Sequence, residues 1–257
     1  MRRPQLLRTT PPLLPVIDLH CHFLPGVDDG PQTIDQALAL ARIAVADGIR
    51  VSAMTPHFQP RRFPVKPVIR HQVFTEFSAR LAAEKIPLQL HLAAEVLLSA
   101  ELPAQIANDE IPFLGEVDGY RILLLEFPHA QIPLGSEKLI ASLLRQRIRP
   151  LIAHPERNGT VIRQIDRLRP FVELGCWLQI TADSLVGRFG PEIEQAAWAC
   201  FDAGWNCILA TDAHNLDSRP PCLSRGRDAL RRRYGEPFAL EHVRTKPARI
   251  LGIDPSA

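Results

Sequence analysis

Seven short apolar runs recur along the 257-residue chain, and stretches with helical spacing fall between most of them. The runs cover 16–19, 50–54, 88–93, 121–125, 149–153, 176–180 and 206–210. Between them, 33–47 carries Ile34, Leu38, Ala41 and Val45 on one face, and 68–84 carries Phe74, Phe77 and Leu81. Segments 136–146, 160–168, 191–203 and 225–233 continue the alternation. Gly48 and Gly204 fall where a helix ends and a strand begins, as helix C-termini favour. Alternation of this kind predicts an α/β fold with parallel strands and right-handed crossovers. Seven strands predict a seven-fold, irregular relative of the eight-stranded barrel. The competing architecture, an open doubly wound sheet, wants a glycine-rich loop after its first strand, and here His20-Cys21-His22 stands there.

Parallel strands bring their C-terminal ends to one face. Six motifs sit at those ends: Asp18-Leu19-His20-Cys21-His22, Thr55-Pro56-His57, Ala94-Glu95, Leu125-Glu126, Ala153-His154-Pro155-Glu156-Arg157 and Thr211-Asp212-Ala213-His214. Residues two apart on extended backbone point the same way, so His20 and His22 face one side, with Asp18 below them. Such a pair suits a borderline or hard cation. Asp212 and His214 repeat the spacing on the last strand, which neighbours the first when a barrel closes. A carboxylate ending an apolar strand is costly unless paired or bound to a cation, which singles out Glu95 and Glu126. Either alone would serve equally as a helix cap or ion-pair partner. His57 and His154 are strand-end histidines beside a proline. A turn rich in carboxylate, Asp28-Asp29-Gly30, follows the first pair.

Arg157 and Arg219 belong to loops at the same end, and a guanidinium fork matches phosphate oxygens. Arg61 and Arg62, with Phe58 and Phe63, form a candidate rim, to which His129 and Asp28 are adjacent. His71, His91 and His242 read as structural. A formal net charge of +2 argues against nucleic acid as a partner. No run approaches the roughly 18 apolar residues of a membrane span, so no membrane insertion is expected. The cysteines Cys21, Cys176, Cys200, Cys207 and Cys222 are odd in number and lack C-x-x-C spacing, which points to reduced thiols and a cytoplasmic protein. Residues 1–15, with Arg2 and Arg3 but broken by Pro4, Pro11, Pro12 and Pro15, read as a disordered leader, and 16–257 as one domain.

Taken together, these motifs resemble the polymerase-and-histidinol-phosphatase (PHP) superfamily, and within it the bacterial metal-dependent protein-tyrosine phosphatases of capsular and exopolysaccharide loci. The resemblance implies a distorted seven-stranded (β/α)7 TIM-like barrel with three divalent metal ions, usually manganese. Iron and zinc also suit mixed imidazole and carboxylate donors. By motif position, His20, His22, Glu95 and Asp212 would hold one ion. Glu95, Glu126 and His154 would hold a second, and Asp29, His57 and His214 a third, with Asp28 the adjacent alternative to Asp29. Arg157 and Arg219 match the phosphate-binding arginines. One departure is Phe58, where the family often has a second histidine.

The implied activity is hydrolysis of phosphotyrosine on protein, with a polysaccharide-biosynthesis tyrosine kinase as partner. A cation lowers the pKa of bound water toward ~7, and the hydroxide so formed would attack phosphorus. A cysteine-based route needs an arginine six residues after a cysteine, and those places hold Val27, Ala182, Asn206, Ala213 and Asp228. A small-molecule phosphomonoesterase, for example acting on histidinol phosphate, is the alternative. An amidohydrolase-type enzyme would want a strand-end lysine, and none of Lys66, Lys85, Lys138 and Lys246 ends a strand. A non-catalytic module would be expected to have lost ligands. Nothing in the pattern sets an oligomeric state.

Overall fold

The computed structural model describes residues 16–254. The expected leader, 1–15, lies outside the described residues. The described chain alternates strand and helix throughout, with ten strands: β1 Val16–Cys21, β2 Ile49–Met54, β3 His57–Phe58, β4 Gln89–Leu92, β5 Glu95–Leu97, β6 Gly115–Val117, β7 Tyr120–Glu126, β8 Ile148–Ala153, β9 Trp177–Thr181 and β10 Cys207–Ala210.

All seven expected strands are present, with ends shifted by a few residues, and two of them continue after a break. β2 resumes as β3 beyond Thr55-Pro56, and β4 resumes as β5 beyond Ala93-Ala94. Pro56 has no N–H to give to a ladder, which favours a break there. Single hydrogen bonds carry the pairing through both breaks, from Ala93 N–H to Met54 O at 2.9 Å and from Glu95 N–H to Pro56 O at 3.2 Å. β1, β2 and β4 form one parallel sheet, and β3, β5, β7, β8, β9 and β10 form a second. β6 is a short antiparallel addition to β7 that the apolar pattern does not signal.

The two sheets meet at the first and last strands. A parallel bridge joins Cys21 to Ala213. Asp212 N–H donates to His20 O at 2.8 Å, and His22 N–H donates to Ala213 O at 2.9 Å. Seven strand positions thus follow one another in a distorted ring, closed at β1 and β10 by a few bonds instead of a full ladder.

Alternation of side chains divides the core in two. Ile17, Leu19, Ile122, Leu124, Leu151, Ala153, Trp177 and Ile208 form an inner apolar cluster, joined by Ala248 and Ile250 of the C-terminal helix Lys246–Leu251. The intervening Leu123, Leu125, Ile152, Leu178, Ile180 and Leu209 join a larger cluster with the helices. The helix expected at 33–47 is Ile34–Ala46, with the Thr33 hydroxyl accepting from Gln36 N–H. Gly48 and Gly204 take φ of 100° and 68° just past their helices. The helix expected over 160–168 is instead a short helix Gly159–Arg163, an extended Gln164 and a 3-10 turn Ile165–Leu168.

Candidate metal centre

The strand ends converge as the parallel topology requires. His20, His22, His57, Glu95, Glu126, His154, Asp212 and His214 are all buried. Four overlapping groups of donors arise: His22, Asp29, His57 and His214; His20, His22 and Glu95; His20, His154 and Asp212; and His57, Glu95 and Glu126.

The tightest set lies at the junction of the first and last strands. His20 Nε2 and His22 Nε2 are 3.1 Å apart. His20 Nε2 lies 3.3 Å from both Glu95 Oε2 and Asp212 Oδ1, and His22 Nε2 lies 3.4 Å from both. Four donors held about 2.0–2.1 Å from a common centre in a tetrahedron are separated by about 3.3–3.4 Å, so these spacings fit one cation. Glu95 reaches further, with Oε2 3.0 Å from His57 Nδ1 and Oε1 2.7 Å from His154 Nε2. Glu126 Oε1 is 3.9 Å from His154 Nε2, and its Oε2 is 3.9 Å from His57 Nδ1. Asp29 Oδ1 stands 3.4 Å from both His57 Nε2 and His214 Nε2.

Surrounding groups aim these donors. The carboxylate of Asp28 accepts from His22 Nδ1 at 2.7 Å, His57 N–H at 2.9 Å and Gly30 N–H at 3.0 Å. Asp28 is therefore committed beneath the cluster, and Asp29 faces the histidines. Gly30 lets the turn approach, since a Cβ there would lie 2.2 Å from His22 O. His214 Nδ1 bonds the Asp212 carbonyl at 2.9 Å, which turns Nε2 toward Asp29. His154 and Asp212 sit at φ of 29° and 52°. Such non-glycine conformations cost about 1–3 kcal/mol and tend to occur at functional sites.

In the segment His154-Pro155-Glu156-Arg157-Asn158, each residue after the histidine has a local task. Pro155 starts a 3-10 turn, and buried Glu156 accepts from Thr181 N–H at 2.9 Å and the Ser184 hydroxyl at 2.7 Å. Asn158 caps the next helix through Thr160 N–H at 2.9 Å. Arg157 projects into the cleft. Arg157 and Arg219 both donate to one oxygen, Asp212 Oδ2, from separate loops. They line a cleft of about 390 Å³ with Asp29, His57, Glu126, His129 and His154.

Burial and charge crowding set the protonation of the donors. Burial lowers His154, reinforced by Arg157, to about 4, and burial with His22 lowers His214 to about 4. Both are neutral and able to donate a lone pair near pH 7. Burial, reinforced by repulsion from Glu95 and Asp212, pushes Glu126 up to about 9. Burial opposes charge on Glu95 and Asp212 too, but His20 and other cationic neighbours outweigh it and hold both carboxyls well below the usual range.

Whether the site fits cations can be tested on its unpaired atoms. Glu95 Oε2, Asp212 Oδ1 and His214 Nε2 are buried without a hydrogen-bond partner. Leaving a buried polar atom unsatisfied costs about 1–3 kcal/mol. All three belong to the donor groups, and divalent cations would satisfy them and relieve the repulsion at Glu126. The residues therefore fit the metal.

Several neighbours differ from the sequence reading. Asp18, expected below the histidine pair, stands outside the donor groups. It accepts from Thr211 N–H at 2.9 Å and from the Thr211 hydroxyl, tying β1 to β10. Phe58 is no rim residue. It is buried in the larger core, with the Arg70 guanidinium 5.1 Å from its ring centroid. Arg61 is exposed and pairs with Glu101 at 2.9 Å outside the cleft. Arg62 and His129 do line the cleft, with Arg62 3.9 Å from Asp29 and His129 3.6 Å from Glu126. Cys21 turns into the core, as expected. His71, His91 and His242 lie outside the donor groups.

Two glutamines escaped the sequence reading. Gln59 donates to Glu126 Oε2 at 2.9 Å. Gln179 contacts His20 Nδ1 at 2.7 Å. The available signal for Gln179 was a lone amide within the otherwise apolar run Trp177-Leu178-Gln179-Ile180. A larger cavity of about 790 Å³ lies at the opposite strand ends, lined by Val16, Arg50 and Leu90 among others, and holds none of the donors.

The fold and the site together define a parallel α/β protein whose strand ends carry histidine and carboxylate clusters able to hold metal. The family described as capsular polysaccharide synthesis, CpsB/CapC, matches residues 16–252, and the chain belongs to it. The chain is 30% identical over 236 residues to the tyrosine-protein phosphatase YwqE of Bacillus subtilis strain 168, covering 92% of this chain and 91% of that one. It is 32% identical over 210 residues to the putative tyrosine-protein phosphatase CapC of Staphylococcus aureus, covering 82% and 81%. A solved structure from work on YwqE of Bacillus subtilis and CpsB of Streptococcus pneumoniae, described as unique metal-dependent tyrosine phosphatases, superimposes with a TM-score of 0.85. It shares 29% identity and covers 92% of this chain and 94% of that one.

Proposed function

We propose that this protein is a metal-dependent protein-tyrosine phosphatase holding three divalent ions, manganese foremost. His20, His22, Glu95 and Asp212 would hold one, Glu95, Glu126 and His154 a second, and Asp29, His57 and His214 the third. The substrate is a phosphotyrosine protein, with a polysaccharide-biosynthesis tyrosine kinase as the partner. The observation that carries the reading is the convergence of unpaired Glu95 Oε2 and Asp212 Oδ1 on two imidazole nitrogens, with two arginines on the other oxygen of the same aspartate. Relatives named as tyrosine-protein phosphatases support it.

When bound there, divalent ions would supply activation of water at neutral pH and offset phosphoryl charge. The protein's own groups do the rest. Arg157 and Arg219 bind phosphoryl oxygens and neutralise charge as it builds. Asp212 orients both guanidinium groups toward the cleft. Asp28 holds His22 and the backbone of His57 in place. A tyrosine leaving group, with an unperturbed pKa of ~10, departs with less help from a general acid than an alkoxide needs. The reading takes 16–257 as one catalytic unit, supported by the family match over 16–252. A cytoplasmic location fits the free cysteines, four of them buried.

Full-length protein supplied with manganese is assayed on a phosphotyrosine peptide and on histidinol phosphate, each with and without chelator. The peptide should be preferred, and chelation should abolish turnover on it. Preference for histidinol phosphate overturns the substrate class, and turnover that survives complete chelation overturns the metal.

A further inference from the structure

β9 supplies neither a histidine nor a carboxylate to the donor groups. It supplies Gln179, which is fully buried and two residues beyond Trp177 of the inner cluster, hence on the same face of the strand. Gln179 Oε1 lies 2.7 Å from His20 Nδ1 and 3.2 Å from the backbone nitrogen of His154. The second contact decides the first. A backbone N–H can only donate, so the amide atom facing it must be the oxygen and not the nitrogen. The same oxygen facing His20 Nδ1 requires a proton on Nδ1. With Nδ1 holding its proton against that oxygen, Nε2 is the nitrogen left to offer a lone pair to a cation. His20 Nε2 is the atom 3.3 Å from Glu95 Oε2 and Asp212 Oδ1.

We propose that Gln179 is a positioning residue for the metal centre. Its carbonyl oxygen fixes the tautomer and ring orientation of His20 and anchors the strained backbone of His154, so that one side chain aligns donors of two different ions. The inference rests on reading His20 and His154 as ligands. A second observation separates this role from simple packing. Gln179 Nε2 is buried without a partner, a penalty that a leucine of similar size would not incur. The amide is therefore held for what its oxygen does. His22 and His214 have equivalent supports in Asp28 and the Asp212 carbonyl, which leaves Gln179 as the corresponding support for His20.

The test uses full-length protein, wild type, Gln179→Leu and Gln179→Glu. Manganese affinity is measured by chelator competition, and the imidazole protons of zinc-loaded, 15N-histidine-labelled protein are read by NMR. Wild type should show an exchange-protected Nδ1–H on His20. Gln179→Leu should lose that protection and bind manganese ~10–100-fold less tightly, as loss of an outer-shell partner does, and Gln179→Glu, which keeps an acceptor oxygen, should stay within ~3-fold of wild type. Gln179→Leu with wild-type affinity and a protected Nδ1–H overturns the inference. So does zinc bound through His20 Nδ1 in the wild-type protein, a result that needs no variant to fold. Wild-type protein that takes up no divalent ion overturns the functional reading and this inference with it.

Discussion

Glu95→Gln is the most informative single substitution, because Glu95 faces His20, His22, His57 and His154 at 2.7–3.4 Å. The amide keeps the shape and removes one negative charge. Within ~4 Å of a cation, a unit charge in an effective dielectric of ~20 contributes ~4 kcal/mol or more, about three powers of ten. The amide dipole recovers part of this, so affinity for the ions that Glu95 serves should fall by ~10²-fold or more. The metal-free fold should also lose some stability, since His20 and the neighbouring imidazoles hold the Glu95 carboxyl well below its usual range. The two effects separate in a thermal melt with and without manganese. Binding at 100 times Kd stabilises by ~2.7 kcal/mol, which for a chain of this size raises Tm by ~5–10 °C. Wild type should show that rise. Glu95→Gln should show a much smaller rise and lose phosphotyrosine turnover. A variant that keeps the full manganese-induced shift and turnover would refute the bridging role.

Four further outcomes follow from the same geometry. His154→Ala should abolish phosphatase activity while far-UV circular dichroism stays native; retained turnover with unchanged metal content contradicts the ligand assignment. Arg219→Ala should lower turnover of phosphate esters ~10–100-fold without loss of metal, checked by kinetics beside elemental analysis. Gly30→Ala places a Cβ 2.2 Å from the His22 carbonyl oxygen and should cost roughly 2–4 kcal/mol in urea unfolding; an unchanged midpoint would show that the turn can relax. Manganese uptake near pH 7 should release protons, because burial and the repulsion of Glu95 and Asp212 keep Glu126 protonated up to about 9. The folded, metal-free state there holds a proton that the unfolded state lacks, so its stability should fall as pH rises from the carboxylate range toward 9, while metal affinity rises. Calorimetry in two buffers of different ionisation enthalpy measures the release.

The parallel α/β alternation was legible because most of its strands are buried on both faces and read as continuous apolar runs, with polar residues appearing where each run ends. His20, His22, Asp212 and His214 stood out because two-residue spacing on a strand is itself a geometric statement. The breaks at β2/β3 and β4/β5 were not legible, since Pro56 marks an interruption but not the resumption of pairing beyond it. The helix expected over 160–168 failed at Gln164, where φ of −154° breaks a run whose apolar spacing continues. The choice between Asp28 and Asp29 could not come from spacing alone. In the structure, hydrogen bonds occupy Asp28 with His22, His57 and Gly30, and Asp29 is the carboxylate that faces His57 and His214. Gln59 and Gln179 were missed because an amide gives no charge signal, and its value here comes from partners 67 and 159 positions away in the chain.

Anomalous diffraction at the manganese absorption edge, from crystals of catalytically active protein, tests the central claim most directly. The account predicts three peaks in the mouth between β1, β5, β8 and β10, within bonding distance of His20, His57, Glu95, His154 and Asp212. A mouth without peaks, in protein that still hydrolyses phosphotyrosine, would contradict it.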